Sequence, residues 1–219
     1  MDVGKTAFQA QLRAAVARSE AAGASSEWVA LMPADALTAL AHVVESGGDS
    51  GADAIVTVSA PCETLMRAIG AIGSNFREVA NLSDSTVTAG DRHSILPGRN
   101  RIRLFFGLRR LERLSRAEFL DYWLNVHAQL GRRLIPPHSY HQIHARAGLT
   151  GEAALLTGVS PSPLDGIVEV HFPDINALIA QLMRPEVAAE ALADERNFID
   201  HARSAFHVYQ SAPEPTECE

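Results

Sequence analysis

An α+β fold is predicted by three features of the sequence. Residues 101–146 read as a strand (Arg101–Arg110), a capped helix (Ser115–Leu134) and a second strand (Ser139–Ala147). Gly166–Phe172 alternates, with Val168, Val170 and Phe172 on one side and Ile167, Glu169 and His171 on the other, the period of a strand. Asp53–Pro61 recurs without gaps as Asp165–Pro173, with the Asp, the Ile, both Val and the Pro identical, which predicts an internal duplication.

Of these elements the helix is the best defined. Ser115-Arg-Ala-Glu118 is a capping box: the hydroxyl bonds an orphan N–H and Glu118 reaches back to the cap. At about 100° per residue, Phe119, Leu120, Tyr122, Trp123, Val126, His127, Leu130 and Leu134 fall on one arc. Asp121, Asn125, Ala128, Gln129 and Arg132 fall on the other. His127 therefore sits on the apolar face beside Trp123, either as a core histidine bonded to a carbonyl or as a functional group.

The remaining elements follow from composition and period. Thr6–Ala22 reads as a helix, Trp28–Met32 as a short strand, Ala34–Val44 as a helix, and Glu45–Gly51 as a loop. Asp53–Ser59 is a β-branched strand, and Pro61 opens a helix running to about Gly73. A strand at Ser85–Ala89 and a linker at Gly90–Asn100, containing Pro97-Gly98, lead into the second half. Pro136-Pro137 ends the central helix region, and Leu149–Leu164 reads as a long loop covering a pocket. Ile175–Met183 is a helix interrupted by Pro185, with a further turn at Val187–Ala193, and Phe206–Gln210 is the closing strand. The expected organisation is a degenerate half at 1–95, a second half at 96–211 and a disordered tail at 212–219.

Composition narrows the function. A net charge of −7 argues against nucleic acid as a partner. Lys5, the only lysine, lies near the N-terminus, which disfavours a Schiff base. Two cysteines, Cys62 and Cys218, fit a reducing compartment, and with no leader or apolar span the expectation is a cytoplasmic protein without a membrane partner. No Gly-rich phosphate loop and no Gly-x-Ser-x-Gly elbow is present. His141 and His144, three apart on a strand, point to opposite faces, so no metal site is expected there.

Arg103-Leu-Phe-Phe-Gly-Leu-Arg-Arg110, the helix with Phe119, Tyr122-Trp123 and His127, then Tyr140 and Gln142, together resemble an EthD domain. Asp165–Phe172 and the ending Phe198-Ile-Asp to Phe206-His-Val-Tyr extend the resemblance over residues 100–211. It implies a ferredoxin-like βαββαβ unit of the dimeric α+β barrel superfamily. Combined with the repeat, it implies that one chain forms a pseudo-dimer, which leaves a homodimer open as a partner state. In the first half, either the first strand is missing or Trp28–Met32 is that strand and the opening helix is extra.

Seven of the nine histidines lie beyond residue 100, so one active site would sit in the second half. The expected catalytic group is His127, acting as general base or acid, with Tyr140, His141 and His144 as hydrogen-bonding partners. If Tyr140, Gln142 and His144 face His127 they are the partners; in the other orientation His141 is. Trp123, Phe105, Arg103, Glu169 and His171 are the expected substrate-binding set. The resemblance suggests a cofactor-free lyase, such as a dehydratase, or a related proton-transfer enzyme. Its partner would be a small hydrophobic carbonyl or aromatic compound. A non-catalytic binder of such molecules, a haem protein with His127 as axial ligand, and a structural dimerisation module are the competing readings.

Overall fold

Helix and strand signals of the sequence assemble into one antiparallel sheet with helices outside it. The computed structural model describes residues 3–33, 51–79, 81–134 and 138–211. The expected helix at 34–44, most of the following loop, Pro136-Pro137 and the tail at 212–219 lie outside the described residues.

In chain order the first elements are α1 (Val3–Ala21), β1 (Ser25–Leu31), β2 (Ala54–Ser59), α2 (Cys62–Val79), β3 (Thr86–Val87) and β4 (Gly90–Leu96). Next come β5 (Ile102–Leu108), α3 (Arg116–Tyr122), a π-helical turn (Trp123–His127) and α4 (Ala128–Leu134), which continue one another, then β6 (Ser139–Ala145). The chain closes with α5 (Ala147–Thr157), β7 (Ser160–Pro161), β8 (Gly166–Phe172), α6 (Ile175–Leu182), α7 (Pro185–Glu195) and β9 (Ala205–Ser211). Seven strands form one curled sheet in the order β2-β1-β9-β5-β8-β6-β4, every neighbouring pair antiparallel. β3 and β7 form a small parallel pair beside it.

The segment β5-α3/α4-β6-β8-α6/α7-β9 runs βαββαβ, and its strands lie in the order β9-β5-β8-β6. The period-2 pattern divides each strand between two faces. Ile102, Leu108, Tyr140, Val168, Val170, Phe172 and Val208 join Phe119, Trp123 and Leu178 in the core between sheet and helices. On the other, concave face Phe105 and Tyr209 pack with Val29, Leu31, Ile55 and Ile167.

Three expectations need correcting. Gly90–Asn100 is not a linker throughout: Gly90–Leu96 is β4, paired with β6. Its first residue must be glycine, because a Cβ at Gly90 would stand 1.9 Å from the His144 carbonyl oxygen, and Pro97 only ends the strand. Residues 149–164 are not one long loop. α5 occupies most of them, and Thr150 ties it to Ala89 by accepting from the Ala89 N–H and donating to its carbonyl, each at 3.0 Å. Gly148 and Gly151 hid that helix in the sequence. The third concerns the helical arc: Val126, placed on the apolar side, is 49% exposed, whereas Ala128, placed on the polar side, is 1% exposed. The π turn inserts one residue and advances the faces by about 100°, so a uniform helical wheel fails beyond Trp123.

The helix begins as expected. Ser115 Oγ accepts from the Glu118 N–H at 3.2 Å and the Glu118 carboxylate accepts from the Ser115 N–H at 2.8 Å. Ser115→Ala is expected to lower stability by about 1 kcal/mol, read as a lower urea midpoint at unchanged slope.

Candidate functional site

The sheet separates the expected site residues into two groups. His127, Trp123, Tyr140 and His144 lie on its helix-covered side, and Arg103, Phe105, His141, Glu169 and His171 on its concave side. Tyr140, Gln142 and His144 are therefore the β6 residues that face the helix, and His141 faces away.

Gln142 explains the local geometry on the helix side. Its Nε2 donates to the Trp123 carbonyl at 3.0 Å and to the Tyr140 hydroxyl at 2.8 Å, while its Oε1 accepts from His144 Nε2 at 3.0 Å. The same Trp123 carbonyl accepts from the Ala128 N–H, closing the π turn. His144 stacks on Trp123 with ring centroids 4.8 Å apart. Burial, then His93, lowers the His144 pKa to about 4, and burial raises the Tyr140 phenol. Both stay neutral near pH 7 within a packed network.

The end of the π turn is different. His127 Nδ1 lies 2.7 Å from Asp194 Oδ2 on α7, and Asp194 Oδ1 accepts from the Tyr122 hydroxyl at 2.7 Å. A carboxylate can only accept, so the proton of the neutral ring sits on Nδ1 and the Nε2 lone pair faces away. Among the described residues Nε2 makes no hydrogen bond, and the side chain keeps 11% of its surface exposed. Burial pulls the His127 pKa down while Asp194 opposes it, leaving it below the usual value. Next to Asp194, the Glu195 carboxyl is pushed up to about 8 by burial and by the Asp194 charge. Its Oε2 stands 3.6 Å from His201 Nε2.

The concave side carries charge in two adjacent rows across the strands. One row is Tyr209, Arg103, His171, Ser139 and the next is His207, Phe105, Glu169, His141, Ser94. Glu169 is the hub: Arg92 at 2.9 Å, His171 Nε2 at 2.9 Å and Arg103 at 3.3 Å surround its carboxylate. Arg103 also pairs with Glu27, which Arg99 meets at 2.9 Å. The Asn100 N–H points at His171 Nδ1 from 3.4 Å, which leaves the ring proton on Nε2, toward Glu169. Burial raises Glu169, but His171, Arg92 and Arg103 outweigh it and hold the carboxyl below its usual value. His141 is lowered by burial and by Arg92.

A model of the EthD domain matches residues 111–202, from the turn before α3 through α7. Searches of the curated proteins and of the solved structures returned no significant match to the chain. The EthD segment contains Tyr122, His127, Asp194 and Glu195, so the whole helix-side acid–base group lies inside it. Arg92, Ser94, Arg103 and Glu27 lie outside it, so the concave cluster is shared between the EthD segment and the rest of the chain. Among the described residues no helix is long and apolar enough to cross a membrane, and no group of three or more His, Cys, Asp and Glu is placed to hold a metal ion.

The sequence reading missed Asp194, Glu195, Arg92, Ser94 and Glu27. Asp194 and Glu195 end an alanine-rich helix with charges on either side, a pattern typical of a solvated terminus. Ser94 lies in the stretch read as linker.

Proposed function

We propose that this chain is a cofactor-independent proton-transfer enzyme of lyase type, acting on a small hydrophobic carbonyl or aromatic compound, with His127 as general base. The observation that carries this reading is the Asp194–His127 pair, whose 2.7 Å contact fixes the tautomer and leaves Nε2 to accept a proton. A dehydration also needs an acid to protonate the departing hydroxyl. We assign that role to Glu195, which follows Asp194 on α7 and whose carboxyl is pushed up to about 8 by burial and the Asp194 charge. Val126 and Leu192, exposed on the helices that carry His127 and Asp194, give an apolar compound contact surface.

A panel of small β-hydroxy ketones and phenols in deuterium oxide tests this, with deuterium uptake and water loss followed by NMR. The expected result is uptake by the wild type that falls about 100-fold or more in His127→Gln and Asp194→Asn. Glu195→Gln is expected to retain uptake and to lose dehydration. Equal rates in wild type and His127→Gln, or no uptake across the panel, would overturn the assignment.

We also infer that the two halves descend from a tandem duplication and pair as a pseudo-dimer. Two observations support it: the Asp53–Pro61 and Asp165–Pro173 repeats fall on β2 and β8, and each half joins the other through one antiparallel pair, β1 with β9 and β4 with β6. In that reading α1, β1, β2, α2 and β4 correspond to α3/α4, β6, β8, α6/α7 and β9, and the counterpart of β5 is missing from the first half.

A further inference from the structure

The concave side holds a second chemical constellation, independent of His127. Ser94 lies on β4, at the end of the seven-stranded sheet, and is exposed. The β4–β6 register shifts between Ser94 and Leu96, a bulge of the kind that re-aims a side chain. Ser94 Oγ stands 3.1 Å from His141 Nδ1, while His141 Nε2 stands 3.4 Å from the Gly98 carbonyl. A carbonyl only accepts, so Nε2 carries the ring proton and Nδ1 is the acceptor for the Ser94 hydroxyl. His141 itself is 5% exposed. Behind it, Glu169 faces it directly across the β6–β8 pairing, and the His171 ring lies edge-on with centroids 5.3 Å apart. Arg92, two residues before Ser94 on the same strand, presents a guanidinium with 31% of its side chain exposed.

We propose that Ser94 is a nucleophile activated by His141, and that this face takes activated acyl esters. The parts required are a reachable hydroxyl, a base within hydrogen-bond reach and a group that orients the base. Ser94, His141 and the Gly98 carbonyl fill those places. The Ser94 oxygen attacks the acyl carbon as its proton passes to His141 Nδ1. The bond from the acyl carbon to the leaving oxygen then breaks, and the leaving alcohol or phenol takes the proton back from Nδ1. Water attacks the acyl-Ser94 ester with its proton going to Nδ1, and Ser94 recovers a proton as the acid departs. The positive ring formed in each half-reaction lies beside the Glu169 carboxylate, and Arg92 is the cation next to the developing oxyanion. The groups facing His141 are Ser94, Arg92, Glu169 and His171. Burial and Arg92 act against a proton on the resting ring, so it remains a base at neutral pH.

The full chain is treated with a fluorophosphonate probe at pH 7.5 and the adduct located by peptide mass mapping. p-Nitrophenyl acetate then provides a burst assay. The expected result is one adduct on Ser94, absent from Ser94→Ala, slowed at least 10-fold in His141→Gln, and a phenolate burst near one equivalent. Ser94 is exposed, so Ser94→Ala is expected to unfold at the wild-type temperature. Ser94→Cys gives a second variant, expected to react with an acyl thioester and to lose that reactivity when combined with His141→Gln. Absence of labelling at Ser94, or labelling at the same rate in a folded His141→Gln, would overturn the proposal.

Discussion

Glu169→Gln is expected to lower stability by about 3–5 kcal/mol, although the side chains are nearly the same size. The carboxylate is 1% exposed, compensates Arg92 and Arg103 at once and lies 2.9 Å from His171 Nε2. The amide removes the charge and leaves the Arg103 guanidinium, itself 3% exposed, with Glu27 as its remaining anion among the described residues. Breaking a buried pair from one side costs more than the pair is worth, because the surviving charge stays out of water. Glu169→Gln combined with Arg103→Met should therefore recover part of the loss, and a urea series on the single and double variants measures that coupling. The same hub sets the response to acid. Burial raises both carboxyls, but the cations around them hold Glu169 and Glu27 below the usual glutamate value in the folded protein. A carboxyl with a depressed folded pKa contributes stability above its unfolded value, and that contribution fades as pH falls through the folded one. Stability of the wild type should thus drop steeply below about pH 4.5, and Glu169→Gln should show a shallower slope over the same interval.

Local signals carried the fold further than the site. The Ser115–Glu118 capping box, the alternation in Gly166–Phe172 and the β-branched run in Asp53–Ser59 are properties of short stretches, and each forms the element its pattern predicts. β4 was hidden because its pairing is decided by a neighbour: Gly90 and Pro97 look like loop residues until β6 passes close enough to require the glycine. The π turn was hidden for a similar reason, since its carbonyl is engaged by Gln142 from another strand. The division of the expected residues also needed tertiary information. Strand parity showed that His141 and His144 part company, but only the packing of Trp123 on His144 says which face the helix covers. Asp194 is 67 residues from His127, and nothing in α7 alone marks it as the partner.

Gly166→Ala is expected to be among the most damaging single changes, at about 3 kcal/mol, the upper end for added volume in a packed core. A Cβ there would stand 2.4 Å from the Trp123 ring and 2.8 Å from the Ile143 carbonyl oxygen. The carbonyl belongs to the β6–β8 ladder and cannot retreat without losing sheet pairing, so the ring must move. Trp123 is fully buried between Phe119 and His144, and it is the first residue of the π turn that ends at His127. Displacement of its ring therefore pulls on the backbone that aims His127 at Asp194. Near-UV circular dichroism should report the changed Trp123 environment, and deuterium uptake should fall even under conditions where the variant remains folded. Trp123→Phe introduced with Gly166→Ala removes the part of the indole that meets the new methyl, and should restore more stability than Trp123→Phe costs alone. A double-mutant cycle with no such coupling would mean that the carbonyl, rather than the indole, sets the penalty, and that the His127 turn is insulated from β8.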